Sequence, residues 1–132
     1  MLIGELSSIT GFSRDTIRFY EKHGILQADE RRENNYKEYP PEAIRILRAV
    51  ARLKGHGYSL RQIREFIGLF TDQNLSCGAA AHLIEGQLYQ LKEKIQALEA
   101  MHRELRKALH TCQNHPNGKS CRVLTEIFSE KE

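Results

Sequence analysis

The chain has 132 residues, enough for one domain or two small ones, and a formal net charge of +3. That balance is too mild to establish nucleic-acid binding by itself. Residues 1–70 hold twelve bases against nine acids, while residues 71–132 hold eight of each, so the whole positive excess lies in the N-terminal half. No run approaches the roughly 20 apolar residues of a membrane span. Three cysteines without an apolar leader argue against a secreted disulfide scaffold. The expectation is a cytoplasmic protein with reduced thiols and no membrane partner, in which spaced cysteines point to metal or redox chemistry.

The first segment places Leu2, Leu6 and Ile9 at helical spacing and turns at Gly11-Phe12. Ser13 can cap a second helix, with Asp15 in its first turn against the dipole, running to Gly24. Two short helices around a Gly-containing turn fit a helix-turn-helix, and equally an ordinary helical hairpin. The stretch from Asp29 to Pro40 is polar and turn-rich at Asn34-Asn35, with Tyr36 and Tyr39 around Lys37. It reads as a small β wing whose Arg31, Arg32 and Lys37 suit phosphate oxygens, or as a solvated surface loop.

Pro40-Pro41 punctuates a third helix with Ile44, Leu47, Val50, Ala51 and Leu53 on its buried stripe, stopped by Gly55-His56-Gly57. Ser59 caps a fourth through Leu60, Ile63, Phe66 and Ile67, and Leu69 to Ser76 reads as a linker, with Asn74 and Ser76 as caps for a fifth helix. That long helix, taken as Gly78 to His110, is the clearest pattern. Ile84, Leu88, Leu91, Ile95, Leu98, His102, Leu105 and Leu109 alternate steps of four and three, which makes a coiled-coil seam. Such a seam needs a second copy, and His102 within it reads as a register-setting polar residue.

Cys77 opens this helix; Cys112 follows it, and Cys121 closes the loop behind. Within one chain the first thiol is a helix length from the other two. If two chains pair antiparallel, Cys77 of one meets Cys112 and Cys121 of the other, and three thiolates converge on one soft ion. A short amphipathic turn, Val123, Leu124, Ile127 and Phe128, can pack back over the loop and exclude water.

Four strings together carry a family likeness: Ile3-Gly4-Glu5-Leu6, then Thr16 to Glu21, then Tyr36-Lys37-Glu38-Tyr39, then Gly57-Tyr58-Ser59-Leu60 with Ile63-Arg64. With the long helix and the Cys-flanked loop, the chain resembles the MerR family of bacterial transcription regulators over nearly its whole length. The family commonly has Tyr at position 19 and Arg at position 37; Phe19 and Lys37 depart from that, and Lys offers a point charge in place of a bidentate fork.

The resemblance implies a mainly α fold with a small β wing: a winged helix-turn-helix head at 1–70, a linker at 71–76, an antiparallel coiled-coil dimerisation helix at 77–110, and a metal-binding loop with a short terminal helix at 111–132. It implies DNA contacts from Thr16, Arg18 and Tyr20, and from Tyr36, Lys37 and Tyr39, with Tyr39 equally readable as wing packing. The cysteine placement resembles the metal-sensing branch, and a cysteine at position 77 resembles sensors of divalent ions, zinc first, then cadmium, lead or mercury. Three thiolates also suit a divalent ion better than two.

His115 is a further ligand or an exposed loop histidine; His110 is a weaker ligand candidate, and His82 is turned away from Cys77. Implied partners are promoter double-stranded DNA, a second copy, and RNA polymerase. Implied function is activation of metal efflux or detoxification genes by untwisting a promoter with an over-long spacer. The rival on the same fold is a thiol redox regulator signalling through a Cys112–Cys121 disulfide. A drug sensor would need a ligand domain. An enzyme would need a base beside an open metal position, and the sequence offers no such base.

Overall fold

The computed structural model describes residues 1–30, 36–73, 75–114 and 120–130. It is mainly helical, with two compact units, Met1–Gln87 and Leu88–Glu132. No described helix is long and apolar enough to cross a membrane.

In the first unit, α1 (Ile3–Thr10) stops at Gly11, whose φ of 80° lets its N–H reach the Ser7 carbonyl at 2.9 Å. Helix α2 (Arg14–Lys22) begins where expected. The Ser13 hydroxyl accepts from the Thr16 N–H, Asp15 sits in the first turn and Lys22 in the last. The two-residue strands β1 (Asp29–Glu30) and β2 (Lys37–Glu38) pair antiparallel, Asp29 opposite Glu38 and Glu30 opposite Lys37. Residues 31–35, among them Arg31, Arg32, Asn34 and Asn35, lie outside the described residues.

Helix α3 (Glu42–Gly55) and helix α4 (Leu60–Thr71) close the unit. A full capping box starts α4: Ser59 accepts from the Gln62 N–H while the Gln62 side chain accepts from the Ser59 N–H. Helix α4 continues through Leu69–Phe70–Thr71, where a linker was expected. The apolar spacing persists through Ile67 and Phe70, and Thr71 ties its hydroxyl to the Gly68 carbonyl. The core forms where α1, α2, α3 and α4 turn their apolar faces inward. Leu6, Ile17, Leu47, Val50 and Ile63 are fully buried at its centre.

Helix α5 (Cys77–Gln113) is 37 residues long and so rises roughly 55 Å. Ser76 serves its first turn, accepting from the Ala79 N–H at 3.2 Å, and Asn74 lies outside the described residues. The helix begins at Cys77, within the expected 77–110, and runs on past His110 to Gln113. Cys112 therefore belongs to its last turn instead of following it. Thr111 donates to the Lys107 carbonyl and the Asn114 amide to the His110 carbonyl, holding that turn closed. Helix α6 (Arg122–Ile127) follows Cys121.

The seam stands out by exposure. Ile84, Leu88, Ile95, Leu98, Leu105 and Leu109 all face solvent in the single chain, as do Leu124, Ile127 and Phe128 in and after α6.

Candidate functional site

The exposed face of α2 carries Asp15, Arg18, Phe19 and Lys22. Arg18 donates to the Asp15 carboxylate at 3.1 Å, with both side chains largely in water. Such a surface pair contributes little and exchanges readily for another anion, so Arg18 can leave Asp15 for a phosphate or a base edge. Thr16 lies at the helix start, its hydroxyl 2.7 Å from that of Ser13.

Tyr20 and Tyr39, expected at the DNA, are core side chains, exposed by only 2% and 1%. Tyr20 stacks edge-on between Phe12 and Phe19. It follows Ile17 by three positions on the inward face of α2, and that geometry turns it toward the core, away from the face that carries Arg18. Tyr39 donates its hydroxyl to Glu21 Oε2 at 3.0 Å, and Lys37 Nζ donates to Glu21 Oε1 at 2.9 Å. Burial first, then the hydrogen bond to Glu21 and its charge, push the Tyr39 phenol up to about 12, opposed in part by Arg18. One carboxylate thus joins the recognition-helix candidate to β2 and its neighbour. Glu21 carries this junction, and the sequence reading gave it no role. Tyr36 is exposed beside β2, while Arg31 and Arg32 lie outside the described residues.

In the second unit the Sγ atoms of Cys112 and Cys121 stand 3.9 Å apart, with all thiols free. A disulfide would hold them near 2.05 Å. Two sulfurs on one tetrahedral zinc, at a bond length near 2.3 Å, stand roughly 3.8 Å apart. The pair has the spacing of a two-thiolate bite.

Loss of solvent, followed by the hydrogen bond and charge of Cys121, holds the Cys112 thiol above its ordinary range. Cys121 goes the other way. The Leu124 amide at the start of α6 lowers it first, against some desolvation, with help from the Val123 amide and the Cys112 S–H. No cap bond of ordinary geometry forms at Cys121, so this is the pull of nearby amide dipoles.

Cys77 is exposed at the first position of α5. His110 is occupied by Asn114, whose amide lies 3.1 Å from Nδ1. His82 is exposed, and His115 lies outside the described residues. Among the described residues, no group of three or more His, Cys, Asp or Glu side chains gathers in one chain.

A further residue missed by sequence reasoning is Gln87. It is only 4% exposed, and its amide donates to the His56 carbonyl at 2.8 Å. Gly57, at φ 82°, leaves room for it; a Cβ there would meet the Gln87 amide nitrogen at 3.0 Å.

The family model described as MerR HTH family regulatory protein matches residues 1–69, more than half the chain. The chain belongs to the MerR family. A second model, described as MerR, DNA binding, matches residues 44–108. MerR-family relatives are DNA-binding transcription regulators, not enzymes. The HTH-type transcriptional regulator HmrR of Rhizobium leguminosarum bv. viciae is 30% identical over 128 residues, covering 96% of this chain and 97% of its own. Heavy metal-dependent transcription regulator 2 of Rhizobium meliloti is 30% identical over 127 residues, covering 96% and 86%. Among solved structures, the transcription regulator PbrR691 from Ralstonia metallidurans, in complex with lead(II), superposes with a TM-score of 0.82 at 28% identity. The match covers 96% of this chain and 98% of that one.

Proposed function

We propose that this MerR-family chain is a homodimeric, metal-responsive transcription regulator acting on promoter DNA. The observation that carries the metal reading is the Cys112–Cys121 separation of 3.9 Å. It suits a shared ion of tetrahedral preference, and two thiolates leave such an ion short of donors. Cys77 of a second copy supplies the third, with His115 as a further donor. The exposed leucine seam of α5 argues for that second copy, because an apolar stripe of this length is unstable in water unless paired. A relative named for heavy-metal dependence and a structural neighbour solved with lead(II) support the same reading.

In this account Arg18 and Thr16 on α2, with Tyr36, Lys37, Arg31 and Arg32 at the wing, hold DNA. A divalent ion, zinc foremost, binds one arrangement of the two heads better than the other. That difference in affinity is what selects the DNA deformation. The selected state untwists a promoter whose elements are spaced too far apart and turns them toward RNA polymerase. The genes so controlled serve metal efflux or sequestration.

A promoter reporter read over a panel of metals tests this, comparing the native chain with Cys77→Ser, Cys112→Ser, Cys121→Ser and His115→Ala. Loss of response in all three serine variants is expected. A Cys112→Ser variant that still answers every metal would contradict the assigned site. The same close pair of thiols also favours a second reading, a redox regulator that signals by joining them. That reading has no use for Cys77, so a Cys77→Ser chain that keeps its full response would select it.

A further inference from the structure

The outer face of α2 is polar at Asp15, Arg18 and Lys22, and apolar at one place. Phe19 shares that face, at the i, i+4 spacing from Asp15, and stands 45% exposed. Its ring is braced. The His23 ring lies 4.3 Å away, centroid to centroid, and the buried Tyr20 ring 5.6 Å away and edge-on. A phenyl held this way on a helix that meets DNA is costly in water and of little use to a phosphate, because it has no donor.

The base edges of the major groove present donors, acceptors and a single apolar group, the thymine 5-methyl. We propose that Phe19 is a sequence-reading residue whose ring packs on a thymine 5-methyl in the major groove, one position along the helix from Arg18. The inference rests on α2 being the element that enters the groove. Tyr20 and His23 act as positioning residues for the ring: they limit its rotamers, so less conformational entropy is lost on contact.

The test uses the full-length chain. Duplexes that it binds are selected from a random pool, and each thymine of the resulting consensus is replaced singly by deoxyuridine, which removes only the methyl. Affinity is read by fluorescence anisotropy. At one thymine per half-site, uracil is expected to weaken the native chain roughly fourfold, the worth of one buried methyl. Phe19→Ala should bind the thymine duplex about as weakly as the native chain binds the uracil one, and should not distinguish the two. Phe19→Leu should retain part of the preference, and circular dichroism should show all three chains equally folded.

Tight native binding with no uracil effect at any position overturns the proposal, as does full methyl discrimination by Phe19→Ala. A consensus lost on Arg18→Ala but indifferent to methyls leaves α2 in the groove and removes Phe19 alone. A consensus unaffected by both Arg18→Ala and Phe19→Ala removes α2 from the groove, and the proposal with it.

Discussion

Tyr39→Phe tests the junction that joins α2 to the β2 segment. The substitution keeps the ring in its buried slot and deletes one bond, the hydroxyl donating to Glu21 at 3.0 Å. Hydrogen bonds to charged acceptors contribute about 1.5–3 kcal/mol. Glu21 keeps Lys37 at 2.9 Å, so the lower end, about 1.5 kcal/mol, is expected near neutral pH.

The phenol's pKa adds a pH signature. Its folded value of about 12 lies above its ordinary 10, so folding favours the neutral phenol. The stabilisation is complete below pH 10 and is lost as pH rises through 12. At pH 11 the loss is one of those two units, about 1.4 kcal/mol. The native chain's advantage over Tyr39→Phe should therefore be about 1.5 kcal/mol at pH 8 and close to nothing at pH 11. Urea unfolding of both proteins at equal concentration, which fixes the contribution of any dimer, reads this difference directly. An advantage that stays constant from pH 8 to pH 11 refutes the assignment of a buried, Glu21-bound phenol.

Leu98→Glu puts a charge in the exposed seam. Losing two leucines per dimer costs about 3–6 kcal/mol, so sedimentation should show the dissociation constant raised at least a hundredfold; an unchanged dimer would place the interface elsewhere. Gln87→Ala strips the His56 carbonyl of its donor and should lower unfolding stability by about 1–3 kcal/mol. An unchanged denaturant midpoint would mean that this latch between the start of α5 and the turn after α3 carries no weight.

Signals that act within a few residues were legible in the sequence. Ser13 and Ser59 announce their helices because a cap is satisfied by amides two or three residues on. The seam of α5 was legible because a sustained alternation of four- and three-residue steps keeps one apolar stripe on one side of a helix. Effects of context were not. Tyr20 was assigned to DNA through the family likeness, although it shares the inward face with Ile17 and that periodicity points to the core; for Tyr39, packing was already the alternative, and its burial follows it. Cys112 looked like a loop residue because of the helix breakers Pro116 and Gly118 in the sequence beyond it, yet the helix runs to Gln113 and Asn114 bonds back to the His110 carbonyl. Gln87 carries no local mark at all: its partner lies 31 residues earlier, behind a left-handed glycine. Of the metal candidates, one chain brings together Cys112 and Cys121; a ligand from a second copy is a matter of assembly that one chain does not display.

The measurement that bears most directly on the account is subunit complementation. Cys77→Ser and Cys121→Ser chains are each expected to give no three-thiolate metal site as homodimers. Mixed, unfolded together and refolded, they should form heterodimers with one intact site, built from Cys112 and Cys121 of the first chain and Cys77 of the second. Cadmium(II) titration, with the charge-transfer absorbance per ion counting the thiolates bound, should then recover the native three-thiolate signal at one ion per heterodimer. If mixing restores nothing, or if either variant alone keeps the native site, the thiols of the two copies do not share an ion.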